Sequence, residues 1–147
     1  MQIETNPLSL RELEEGSQLH FPAGLLGFPE RKDYRIVNHK PDAPFKWMQA
    51  TDVSDLAFVI TDPFAFFSDY IVDVQAHDLR ELGKIDPEQL LLVVIVALPR
   101  ASSPQLTMNL CGPVLINCNT GLAKQLVLVN SPYHTRQPLA ASYESSP

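Results

Sequence analysis

The run "LLLVVIVAL", residues 90–98, constrains the fold more than any other part of the chain. It is apolar throughout and rich in β-branched residues, which favour a pleated backbone. It spans about half of the ~20 residues that a membrane helix needs. A strand with one wet face alternates apolar and polar side chains, and this run does not. The pattern is that of a strand buried on both faces, or of the centre of a closed sheet.

The rest of the chain reads as short strands between stiff turns. It has 13 prolines and 6 glycines, a balance that favours many brief elements. Strands are expected at 18–21, 34–39, 45–50, 56–60 and 70–75, with Ile71 and Asp73 on one side and Val72 and Val74 on the other. In "FKWMQA" Phe45, Trp47 and Met48 are expected to be partly buried. The loop "PAGLLGFP" (22–29) carries Leu25, Leu26 and Phe28 on an irregular backbone and must pack onto the domain. "LTMNL" and "PVLIN" read as strands parted by Cys111, Gly112 and Pro113, and "LAKQLVLV" as the last strand. A short helix is expected near 76–83, because Leu79 and Leu82 share a face, Asp78 lies near its start and Gly83 suits its end. "IDPEQL" can add one more turn. The fold class is all-β and mostly antiparallel, a small β-barrel-like single domain with one short helix. It is expected to occupy residues 1–137, with the polar, proline-rich segment 138–147 as a flexible tail.

With 147 residues a real core is available without a metal or disulfide. The net charge is −6, which disfavours direct nucleic-acid binding and favours basic partners. The two cysteines, Cys111 and Cys118, have no paired-ligand spacing and read as free structural thiols. The first residues lack a basic and an apolar region of the signal-peptide kind. The expectation is a soluble cytoplasmic protein with no membrane partner.

Catalytic chemistry finds little support. The four histidines form no HxH, HExxH or Cys/His cluster, so no metal site is expected. The phosphate-cradle and nucleophile-elbow motifs are absent, and no cofactor or catalytic residue is assigned. Aspartates are plentiful at 52, 55, 62, 69 and 73. Paired acids can hydrolyse glycosides, but no sugar-binding context accompanies these. They read as turn formers, as solvated charges or as a docking patch.

The stretch "LAFVITDPFAFFSDY" (56–70) is the least ordinary. A strand runs into Asp62-Pro63, then into Phe64, Phe66 and Phe67, and then into Asp69 and Tyr70. In an extended backbone Phe64 and Phe66 would share a side and Phe67 would oppose them. Core packing accounts for at least two of the three rings. The candidate partner-binding residues are Asp62, Phe64, Asp69, Tyr70 and Asp73, as an acidic rim with an aromatic anchor.

Five segments together, "FPAGLLGFPE" (21–30), "PFKWMQA" (44–50), "DLAFVITDPFAFFSDY" (55–70), "NLCGPVLIN" (109–117) and "GLAKQLVLVNSPYHTRQPL" (121–139), resemble the FliW family of flagellar assembly factors in order and spacing. The chain departs from that pattern at "NPLSLRELEEGS", at Cys111-Gly112 and at Gln137, where the family usually has histidine. The resemblance implies a non-enzymatic β-protein with two protein partners, flagellin and the translational regulator CsrA. Flagellin would occupy the protein while it accumulates. Once freed, the protein would bind CsrA and relieve repression of flagellin mRNA. A small-ligand-binding β-barrel is the alternative that the strand pattern leaves open.

Overall fold

The structure is a computed structural model and describes residues 1–38, 40, 43–99, 101 and 105–139. In chain order the elements are β1 (Gln2–Ile3), β2 (Gln18–His20), β3 (Asp33–Asn38), β4 (Phe45–Ala50), β5 (Ala57–Thr61), β6 (Val72–Asp73), α1 (Ala76–Arg80), β7 (Leu90–Ala97), β8 (Thr107–Met108), β9 (Val114–Asn117), β10 (Ala123–Gln125) and β11 (Gln137–Pro138). Single turns of 3-10 helix lie at Leu10–Glu12, Pro63–Ala65 and Pro87–Gln89. All strand pairs are antiparallel. The class expected from the sequence holds, and so do the short helix and the extra turn after it.

β7 is the centre of the sheet. Leu91 and Val93 point into one core with Phe21, Tyr34, Ile36, Met48, Ile60 and Ile116, and Ile95 packs against that core. Leu90, Leu92, Val94 and Val96 point into a second core with Val59, Tyr70, Val72, Leu82, Met108 and Leu115. The run without polar alternation is therefore a strand with a core on each face.

β7 also changes partners along its length. Residues 94–96 pair with β5 on one edge, 90–93 pair with β9 on the other, and 96–97 pair with β8. β8 and β9 thus follow the same edge of β7, parted by the bulge 109–113. The Asn109 N–H donates to Ile95 O at 3.0 Å. Where β5 no longer runs beside β7, the side chain of Asn6 takes its place. Its Nδ2 donates to Leu92 O at 2.8 Å and its Oδ1 accepts from Leu92 N–H at 2.7 Å.

The main sheet runs β10-β9-β7-β5-β4-β3-β2 and curls until its two ends approach. They touch at one parallel bridge between His20 and Leu122, where the His20 N–H donates to Gly121 O at 2.8 Å. One bridge is not a ladder, so the expected barrel is not closed. Gly121 (φ +77°) stands at this seam, and a Cβ there would lie 2.8 Å from Gln18 O. The inside of the curl is filled by Phe21, Tyr34, Ile36, Met48 and Ile60, all fully buried.

In β4 Phe45 and Trp47 are half-buried, as expected, and Met48 is fully buried on the opposite face with Lys46 and Ala50. One local expectation is corrected: of the three large apolar side chains in the loop 22–29 only Leu25 is buried, while Leu26 and Phe28 are exposed, though Phe28 meets the Phe58 ring edge-on at 5.4 Å. At the C-terminal end, β11 pairs with β8, and the Leu139 N–H donates to Leu106 O at 3.0 Å. Residues 140–147 of the expected tail lie outside the described residues.

Candidate protein-interaction surface

The aromatic stretch after β5 is a corner that the sequence caps. Asp62 Oδ1 accepts from Phe64 N–H at 2.9 Å, and Pro63 opens a single 3-10 turn. An aspartate cap and a proline at the first position both favour such a start. The turn replaces the extended geometry expected for the phenylalanines. Phe64, Phe66 and Phe67 all end half-buried against the core that holds Leu92 and Val94. Phe66 stacks on Phe45 at 6.1 Å, and Phe64 meets Tyr70 at 5.7 Å.

Tyr70 ties the corner to the rest of the molecule. It is 1% exposed. Its hydroxyl donates to Leu110 O at 2.5 Å, inside the bulge between β8 and β9. Its ring meets Tyr133 edge-on at 4.6 Å, and the Tyr133 hydroxyl accepts from Ile71 N–H at 3.0 Å. Burial pushes the Tyr70 phenol well above its ordinary pKa, and the neighbouring Tyr133 and Cys111 add to the shift. A phenol so enclosed is a structural clamp, so the expectation of Tyr70 on a docking rim is corrected. Its place in the core frees it from solvent and leaves no surface for a partner.

Asp62 and Asp73 line different depressions. Asp62 borders a depression of about 230 Å³ that also contains Arg11 and Lys46. Lys46 is buried, donates to Leu13 O and has its pKa lowered by that burial. Asp69 is exposed on the turn. Asp73, on β6, lies on a separate cleft of about 430 Å³ between the β1–β6 ribbon and residues 126–133. The amine of Met1 is 3.9 Å from its carboxylate.

That cleft holds features that reading the sequence missed. Val127 and Val129 are 57% and 76% exposed, and Ile71 is 41% exposed. All three line the cleft with Tyr133 and Asp73. The signal was present in "LVLV": apolar residues occupy both phases of a strand that has only one buried face. Leu126 and Leu128 pack inward and leave the valines outside.

Among the described residues no three His, Cys, Asp or Glu side chains gather to hold a metal, and no helix is long and apolar enough to cross a membrane. Cys111 and Cys118 are unpaired thiols, half-buried, and burial raises the pKa of Cys118.

Fold and surface together define an antiparallel β-protein whose aromatic corner after β5 packs against the core and whose cleft sets exposed Ile71, Val127 and Val129 with Asp73. The family model described as "FliW protein" matches residues 2–139, and the chain belongs to that family. It is 33% identical over 142 residues to the flagellar assembly factor FliW of Leptospira interrogans serogroup Icterohaemorrhagiae serovar Lai, covering 97% of this chain and 95% of the relative. It is 36% identical over 128 residues to the flagellar assembly factor FliW of Natranaerobius thermophilus, covering 87% and 85%. A crystal structure of the flagellar assembly factor FliW superposes with a TM-score of 0.74 at 29% identity, covering 84% of this chain and 85% of that one.

Proposed function

We propose that this chain is a cytoplasmic flagellar assembly factor that works by binding proteins. It binds flagellin and, when free of it, binds and antagonises CsrA, so that flagellin mRNA is translated. The observation that carries this reading is the family match over residues 2–139. The chemistry of the chain supports it. A protein of net charge −6 does not compete for RNA by binding RNA. It can attract a basic RNA-binding protein, and negative charge brought near a phosphate-binding surface weakens RNA affinity without covering it. Asp69 and Asp73, both exposed, are suited to that role. Asp62 and Phe64 are the other proposed contacts, at the corner after β5.

Such a switch needs flagellin and CsrA to exclude each other, by overlap or by coupling. Each must lower the affinity of the other by the same factor. Without that coupling, even tight flagellin binding leaves the CsrA equilibrium unmoved. The test mixes the three purified proteins in size-exclusion chromatography. Two binary complexes that displace one another support the proposal. A stable ternary complex with both binary affinities unchanged overturns it.

A further inference from the structure

The cleft beside Asp73 has an unfinished strand along one side. β10 ends at Gln125, but its pairing continues. The Leu126 N–H donates to Pro113 O at 2.7 Å and the Leu128 N–H to Cys111 O at 2.9 Å. In an antiparallel ladder alternate residues direct their N–H and C=O groups to opposite edges. Leu126 and Leu128 therefore face the 111–113 segment and Val127 faces the other way; Val129 follows at the turn into Asn130 (φ +56°). Among the described residues the N–H and C=O groups of Val127 and Val129 have no hydrogen-bond partner.

Both valine side chains are also largely exposed and line the cleft with Ile71. An open edge with exposed β-branched residues is what folded proteins ordinarily cover, twist away or guard with charge. No lysine, proline or bulge guards residues 127–129 themselves; Pro132 comes three residues after Val129. Among the described residues that line the cleft the charged ones are Asp78, which Lys124 Nζ engages at 2.9 Å, and the exposed Asp73, whose carboxylate lies 3.9 Å from the Met1 amine.

We infer that residues 127–129 are a docking edge for an extended segment of a protein partner, which adds to the sheet as a short strand. The inference rests on the proposed function in that it takes the occupant from a protein that this chain binds. Main-chain groups of the segment would satisfy Val127 and Val129. Its alternate residues would be apolar, to meet Val127, Val129 and Ile71, and a lysine or arginine would pair with Asp73. Specificity would come from the side chains and affinity largely from the backbone.

The test is amide hydrogen exchange on this protein alone, with purified flagellin and with purified CsrA. The expected result is slowed exchange at Val127 and Val129 in at least one complex. Contact through side chains alone would not slow those two amides. Replacing Val129 with lysine should weaken the same complex about tenfold or more. Leu26→Lys, with the same charge change at an exposed site outside this cleft, should not. If partners bind while both amides exchange as in the free protein, the edge is overturned and the proposed function stands. If neither partner binds, the proposed function is overturned and the edge falls with it. If the two amides become protected in the protein alone as its concentration rises, with a dimer in sedimentation, the occupant is a second copy and the inference is overturned.

Discussion

Asn6 makes to Leu92 both of the hydrogen bonds that a neighbouring strand would make. Its Nδ2 donates to the Leu92 carbonyl and its Oδ1 accepts from the Leu92 N–H. The two residues are 86 apart in sequence. This one side chain completes the central strand where β5 has diverged from it. Asn6→Asp keeps the shape but sets a carboxylate oxygen against a carbonyl. Loss of about 1–3 kcal/mol of stability is expected, the range for an unsatisfied buried group. Asn6→Leu, which leaves both Leu92 groups unpaired, should lose a similar amount. Urea unfolding of the two variants checks this; unchanged midpoints would show that the pairing contributes nothing.

Tyr34 and Tyr70 should respond in opposite ways to loss of the hydroxyl. The Tyr34 oxygen is buried with no hydrogen-bond partner among the described residues, whereas that of Tyr70 donates to Leu110 O. Tyr34→Phe should leave stability unchanged or raise it by up to about 1 kcal/mol. Tyr70→Phe should lower it by roughly 1–3 kcal/mol, because Leu110 O is left unsatisfied. Thermal melts of both variants decide between them. A Tyr34→Phe variant less stable than the parent would contradict the assignment.

The same two phenols set the alkaline limit. Burial raises Tyr34 from 10.0 to about 12, with Asp52 adding to the shift and Arg31 opposing it. Burial also raises Tyr70. A raised folded-state pKa contributes stability that is full below the unfolded value and is lost as pH climbs through the folded one. The Tyr34 contribution should therefore be lost from above pH 10 to about pH 12, with the Tyr70 contribution lost over the same range and beyond it. Lys46 acts in the opposite sense. Its lowered pKa penalises the fold below that value, and the penalty fades as pH rises to its ordinary 10.5. The chain has four tyrosines, so the tyrosinate signal of Tyr34 or Tyr70 is taken as the difference between the parent and its Phe variant. That difference and circular dichroism should change together in an alkaline titration, and Tyr34→Phe should soften the loss of fold. A difference signal that appears while the fold remains intact would show that ring to be accessible.

Of the three aspartates proposed as contacts, Asp62 should also carry stability, whereas Asp69 and Asp73 should not. Asp62 caps the turn at Pro63, so Asp62→Ala should cost about 1 kcal/mol of stability. Asp69 and Asp73 are exposed, and the two Asp→Asn changes together should leave the melting temperature alone. They should slow CsrA association at low salt and reduce its dependence on ionic strength. Normal association rates in the double variant would place the attractive charge elsewhere.

The sequence was most legible where one pattern had one physical solution. An apolar run without alternation has to be buried twice, and β7 is. The alternation of Ile71 and Asp73 against Val72 and Val74 likewise gives the exposed and buried sides of β6. It was least legible where the outcome depends on distant partners. Nothing near Tyr70 announces Leu110 or Tyr133, so a buried clamp was read as a surface ring. In β4 the half-burial of Phe45 and Trp47 was legible, but the full burial of Met48 was not, because it depends on the filled interior of the curl that its face meets. Lys46 shares that face only because its amine reaches the carbonyl of Leu13. The acidic rim was legible as composition but not as geometry, since Asp62 and Asp73 line different depressions.

The placement of β7 also bears on the life of the chain before it folds. Residues 90–97 form an eight-residue strand with no charge and no proline, the composition that stacks readily into cross-β assemblies. In the finished protein a core covers each face, while β5 with Asn6 and β8 with β9 cover the two edges. During synthesis or refolding none of that shelter exists until segments from both ends of the chain arrive. Aggregation is therefore a race against long-range pairing. A variant such as Asn6→Asp, which weakens one wall of the shelter, can lower the yield of protein in cells while leaving every partner-binding residue untouched.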